Sequence, residues 1–126
     1  MALENEISYD IRGAIFKVYN NLGPGLLESI YEKALGFELR KLGRKVEHQV
    51  ALPVIYEGED LSLGYRIDLI VDKCVIIEIK SVETLIPVYH KQLLTYLKLT
   101  GLKLGILVNF NSDKIERNIV RIVNKL

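Results

Sequence analysis

A lone cysteine, Cys74, excludes an intrachain disulfide in this 126-residue chain and fits a reducing compartment. Excess charge is missing as well. Lys and Arg number 17 against 16 Asp and Glu, a formal net charge of +1. That balance supports no general affinity for nucleic acid, so any basic surface must be local. No apolar run approaches the ~20 residues that a membrane helix needs. Residues 1–7 are acidic and lack the basic-then-apolar order of a signal peptide, so the expected location is cytoplasmic. Repeats, low-complexity tracts and Pro/Gly/Ser-rich linkers are absent, and the length suits a single domain over residues 1–126. His48 and His90 have no metal-ligand spacing with Cys74, which argues against zinc. Gly23-Pro24-Gly25 is followed by no Gly-Lys-Ser/Thr, so it reads as a helix break and not as a phosphate loop.

What is present is a clear change of period. Ile7, Ile11, Ala14, Ile15, Val18 and Leu22 recur at helical spacing and predict a helix over residues 4–22. Residues 26–42 predict a second helix, stopped by Gly43. Val46, Val50, Leu52, Val54 and Tyr56 then share one parity, which predicts a strand over 45–56 with an edge or bulge at Pro53. Further strands are expected over 61–71, 75–80 and 104–110, with a helix over 87–99 that starts at Pro87 and stops at Gly101. Ile115, Ile119, Ile122, Val123 and Leu126 predict a last helix, capped by Asn111 or Ser112. The order is α-α-β-β-β-α-β-α, an α/β fold around a mixed four-stranded sheet.

One charge interrupts this pattern where burial is expected. Glu78 lies between Val75, Ile76, Ile77 and Ile79, a strand apolar enough to be covered on both faces. An unpaired carboxylate there costs several kcal/mol, so it needs a cation, a metal or a donor network. Lys80, two residues on, shares its face. Asp68 lies in the preceding apolar run of Ile67, Leu69, Ile70 and Val71. Register decides whether the two acids meet. A three-residue connection, Asp72-Lys73-Cys74, sets Asp68 opposite Glu78; a two-residue turn sets it opposite Ile77 on the other face. We expect the first. Two carboxylates and a lysine then suit a hard divalent cation such as Mg²⁺ and an anionic phosphodiester. The alternative is a salt-bridge cluster that neutralises itself.

At these residues the chain resembles the PD-(D/E)XK nuclease superfamily. Its pattern is an Asp on one strand, then an acid, any residue and a lysine on the next, here Asp68 followed by Glu78, Ile79 and Lys80. Ile67 stands where the pattern often has proline. The resemblance implies a restriction-endonuclease-like αβββαβ core, here with one extra helix at each end. Gly25, Glu28 and Tyr31 also resemble the signature of the GxxExxY family, and residues 64–71, 77–83 and 92–101 look like the same family, which is placed in that superfamily. The resemblance implies that Asp68, Glu78 and the Ile79 carbonyl hold Mg²⁺ or Mn²⁺, that Glu28 joins the metal site, and that Lys80 acts on the nucleophile. Glu28 would equally suit the first turn of a helix as a capping acid. Gln92 and Tyr96, four apart on one helix face, resemble a glutamine and tyrosine of RecB-like nucleases. Gln92 is expected to brace the site or substrate, and Tyr96 to pack in the core with its hydroxyl toward solvent. Lys114, Arg117, Arg121 and Lys125 would form a stripe along the last helix, either a track for DNA or RNA phosphates or a solvated face. The expectation is a Mg²⁺-dependent nuclease acting on nucleic acid; the alternative is a nuclease-fold binding or dimerisation module with little or no turnover. A homodimer is expected, because a domain this small that cuts duplex nucleic acid often needs a symmetric partner to reach both strands.

Overall fold

Ile7, Ile11, Ala14, Ile15 and Val18 are buried along one stripe of α1 (Leu3–Leu22), as their spacing requires. Tyr31, Leu35, Gly36 and Leu39 do the same on α2 (Glu28–Lys41). The computed structural model describes residues 3–126. Its sheet runs β1 (Val46–Ala51), β4 (Arg66–Val71), β5 (Val75–Lys80), β6 (Leu104–Asn109) and β7 (Ile119–Val123), in that spatial order. Among the described residues only β5 and β6 pair in parallel, joined by the crossover helix α3 (Pro87–Thr100). A small separate hairpin pairs β2 (Ile55–Tyr56) with β3 (Glu59–Asp60). Helices α1 and α2 cover one face of the sheet through Leu69, Val71, Val75, Ile77 and Ile79. Helix α3 covers the other through Ile67, Ile70, Ile76 and Leu107. The core order α2-β1-β4-β5-α3-β6 is the αβββαβ arrangement, with α1 before it.

Four expectations are corrected. The chain ends on a strand, not a helix, so the sheet has five strands instead of four. Ile115, Ile119 and Ile122 do fit a helical stripe. However, Ile119, Val120, Ile122 and Val123 are β-branched and find the bare edge of β6, where they pair antiparallel with it. Only a short 3-10 turn, Ile115–Arg117, precedes them. The basic stripe therefore does not form. Lys114 precedes the turn, Arg117 ends it, Arg121 lies within β7 hydrogen-bonded to the Asn5 side chain, and Lys125 follows the strand. The strand expected over 45–56 is cut near Pro53, which has no N–H to give a ladder. The strand expected over 61–71 begins only at Arg66, after Gly64 in the left-handed region (φ 85°).

The connection between β4 and β5 sets the register. Asp72 and Lys73 both have positive φ, 51° and 56°, and Cys74 N–H closes a turn on the Val71 carbonyl at 2.9 Å. Taken alone this is a two-residue turn. Yet pairing begins at Val71 opposite Val75, so Cys74 is an extra, bulged residue that restores the three-residue register. Asp72 is held there by its side chain. It accepts from Lys45 N–H at 2.8 Å and from the Arg44 guanidinium at 2.9 Å, while Arg44 also donates to Asp10 of α1 at 2.9 Å. Both acids hold the Arg44 guanidinium above its usual range. Arg44→Met keeps much of the stem and removes both bonds. It should lower stability by about 1–2 kcal/mol in urea unfolding; an unmoved midpoint would show that water replaces Arg44.

Candidate active site

The β4–β5 ladder is regular from Val71 opposite Val75 to Leu69 opposite Ile77, and then it stops. The next position in that register is Asp68 opposite Glu78, and there side chains take over from backbone. Asp68 N–H donates to Glu78 Oε1 at 3.2 Å, and Ile79 N–H donates to Asp68 Oδ2 at 2.8 Å. Each strand is thus held by the other's carboxylate. The two acids meet, as the three-residue connection requires.

Glu78 is 6% exposed. Burial first, and then the negative charge of Asp68, push its carboxyl up to about 8; the Asp68 N–H and the Lys80 charge only partly oppose this. Lys80 projects from the same strand, but its ammonium sits 4.7 Å above the Tyr89 ring centroid, a cation–π contact with α3. Among the described residues the ion pairs involve neither Asp68, Glu78 nor Lys80. The self-neutralising cluster is therefore not what forms.

Glu28 reaches the far end of β5 without touching the acid pair. Its Oε2 accepts from Ser81 N–H at 3.1 Å, and Ser81 Oγ donates to the Leu26 carbonyl at 2.7 Å. These bonds dock the start of α2 onto the residue after Lys80. Tyr31 braces the same turn: it stacks on Phe110 at 4.4 Å, donates to the Gly23 carbonyl at 2.6 Å and accepts from Leu26 N–H. Across β6, buried Asn109 holds the backbone of Val82 through both its amide oxygen and nitrogen. The segment that follows Lys80 is pinned from two sides.

Gln92 and Tyr96 line one cleft of about 250 Å³ with Leu52, Val54 and Tyr65. Tyr96 is buried in the α3 core. Burial, followed by the charges of Glu78, Tyr65 and Asp68, pushes its hydroxyl up to about 12. A larger groove of about 470 Å³ between α1 and α2 contains none of these residues.

Sequence reasoning missed Gln49 and Glu32. The Gln49 amide donates to Asp68 Oδ1 at 3.3 Å and to Glu32 Oε1. Two polar residues, one on an edge strand and one half-buried on α2, carry no signal of their own; only the positive φ of Gln49, invisible in sequence, marks the place.

The donor set fits a hard divalent cation. Asp68 and Glu78 offer adjacent carboxyl oxygens with no ion-pair partner among the described residues, and the Ile79 N–H binds Asp68. Among the described residues, no group of three His, Cys, Asp or Glu side chains forms a closed cage. Such a cation would keep water or substrate positions open.

The raised Glu78 carboxyl has a measurable consequence in metal-free buffer. Between its unfolded value of 4.5 and about 8 the folded state binds the extra proton, so stability falls as pH rises through that window. Glu78→Gln removes the charge and keeps the acceptor for Asp68 N–H. It should stabilise the metal-free protein by about 1–4 kcal/mol at pH 8 and by clearly less at pH 5. Equal effects at both pH values in denaturant titrations would contradict the assignment.

No curated protein and no solved structure matches the chain significantly. The family model described as the PD-(D/E)XK nuclease superfamily matches residues 5–122, which takes in both acids, Lys80 and every strand of the sheet except the last residue of β7. An acid pair crossing two strands, with Glu78 buried and Asp68 half-buried, an acid-x-Lys segment and a match over nearly the whole chain agree: the protein belongs to the PD-(D/E)XK nuclease superfamily.

Proposed function

We propose that the protein is a divalent-metal-dependent phosphodiesterase that cleaves DNA or RNA, of the GxxExxY type indicated by Gly25, Glu28 and Tyr31. The observation that carries this reading is the Asp68–Glu78 pair, held by crossed backbone bonds with no ion-pair partner among the described residues, and a lysine at hand on Tyr89. A module that only binds has no need of such a pair in the centre of its sheet.

Asp68 and Glu78, with the Ile79 carbonyl, would hold Mg²⁺ or Mn²⁺. The cation would supply Lewis-acid polarisation of the phosphate and lower the pKa of a bound water. The chain's own groups do the rest. Crossed backbone bonds hold the carboxylates in place, so little reorganisation accompanies binding. Lys80 leaves the Tyr89 ring to orient the attacking water or to meet negative charge developing on the phosphate. Glu28, through Ser81, fixes the backbone next to Lys80. The cleft of Tyr65, Gln92 and Tyr96 gives the approaching strand an aromatic wall and an amide. A homodimer would place two such sites on one duplex.

Mn²⁺ or Mg²⁺ at millimolar concentration should raise the Tm, because the unfolded chain lacks the site. Lys80→Met should leave folding and the metal-dependent Tm shift intact and lower cleavage of a mixed DNA and RNA panel by about 10²–10³. Wild-type protein with metal shown to be bound, yet cutting nothing on that panel, would overturn the enzymatic reading in favour of a binding module.

A further inference from the structure

Gln49 occupies a position that a strand residue rarely takes. Its φ is 50°, in the left-handed region, in the middle of β1. The β1–β4 register runs His48 opposite Leu69 and Val50 opposite Ile67, with no pair between Gln49 and Asp68. Both strands change face at this point. Val46 and Leu69 pack with the α1–α2 core, whereas Val50 and Ile67 pack with the α3 core, although regular alternation would keep each pair on one side. The break therefore crosses two strands and is centred on the candidate ligand Asp68.

The Gln49 side chain occupies the break. Only an amide NH₂ can face two carboxylates, so its two hydrogens go to Glu32 Oε1 and to Asp68 Oδ1 at 3.3 Å. Glu32 is fixed in turn. Arg40 has only donors, so it donates to His48 Nε2 at 3.0 Å; the ring proton then lies on Nδ1 and points to Glu32 Oε2 at 3.2 Å. The ring rests against Gly36 of α2, where a Cβ would lie 2.6 Å from His48 Cε1. A chain of bonds thus runs Arg40, His48, Glu32, Gln49, Asp68. With Ile79 N–H on Oδ2, both Asp68 oxygens are anchored.

We infer that Gln49 is a positioning residue: its strained backbone and bridging amide aim the Asp68 carboxylate at the metal, with Glu32 and His48 as the support on α2. The inference rests on Asp68 being a metal ligand. Backbone strain in a sheet persists only where surrounding bonds over-determine it, and here those bonds converge on one carboxylate. Orienting partners of this kind commonly contribute 10–100-fold in metal affinity.

Gln49→Gly and Gln49→Ala delete the same amide and differ in backbone. Glycine adopts φ 50° freely, and alanine does not. Mn²⁺ affinity, read by calorimetric or paramagnetic titration, should fall about tenfold or more in both variants. The metal-free Tm should drop in Gln49→Ala and stay level or rise in Gln49→Gly. A structural role alone predicts the reverse coupling, with Gln49→Gly binding Mn²⁺ as wild type does. Unchanged affinity in Gln49→Gly would overturn the inference while leaving the acid pair as the metal site. Wild-type protein that binds no Mn²⁺ would remove both.

Discussion

Two hydrogen bonds between carboxylates and backbone, Ile79 N–H to Asp68 and Asp68 N–H to Glu78, are the constraint on which the rest of the site depends. They solve a local problem. A strand buried on both faces carries an acid that desolvation penalises, and the partner strand carries another. Replacing ladder bonds by side-chain bonds satisfies both backbones and fixes both carboxylates. It also brings two acids together at the sheet centre, and the Lys80 ammonium rests on an aromatic ring instead of pairing with either. A divalent cation is the simplest complement to such a pair.

The arrangement survives only in one register. Asp72 and Lys73 form a tight turn that, unassisted, would turn Asp68 away from Glu78. The bulged Cys74 corrects it, and the Asp72 carboxylate is bound to Lys45 N–H and Arg44 so that the turn stays in place. Arg44 extends this to α1 through Asp10. A peripheral ion network therefore protects the geometry of a site several residues away. On the other side, Ser81 and Asn109 tie the end of β5 to α2 and β6.

Much of this was legible in sequence because each feature broke a local rule. Glu78 interrupts a β-branched run, Asp68 another, and the three residues between Val71 and Val75 make their meeting a matter of counting. Helices α1, α2 and α3 were readable from period and stop residues. The last element was not, since Ile115, Ile119 and Ile122 satisfy a helical spacing as well as a strand, and only the unpaired edge of β6 decides. That edge is a tertiary fact. The motif marks Glu28, but its partner, the Ser81 N–H next to Lys80, is a tertiary fact, since helix register relative to the sheet is not encoded in spacing. Gln49 and Glu32 were invisible for the same reason. Their meeting depends on a kink shared by two strands 19 residues apart at Gln49 and Asp68.

The account claims that Asp68 and Glu78 together form a divalent-cation site within the sheet. Anomalous diffraction from crystals equilibrated with Mn²⁺ tests that claim most directly. The account predicts an anomalous peak in contact with one oxygen of each carboxylate and with the Ile79 carbonyl, and Lys80 still unpaired with either acid. Density showing the Lys80 ammonium bridging Asp68 and Glu78, with Mn²⁺ absent or bound only elsewhere, would contradict it.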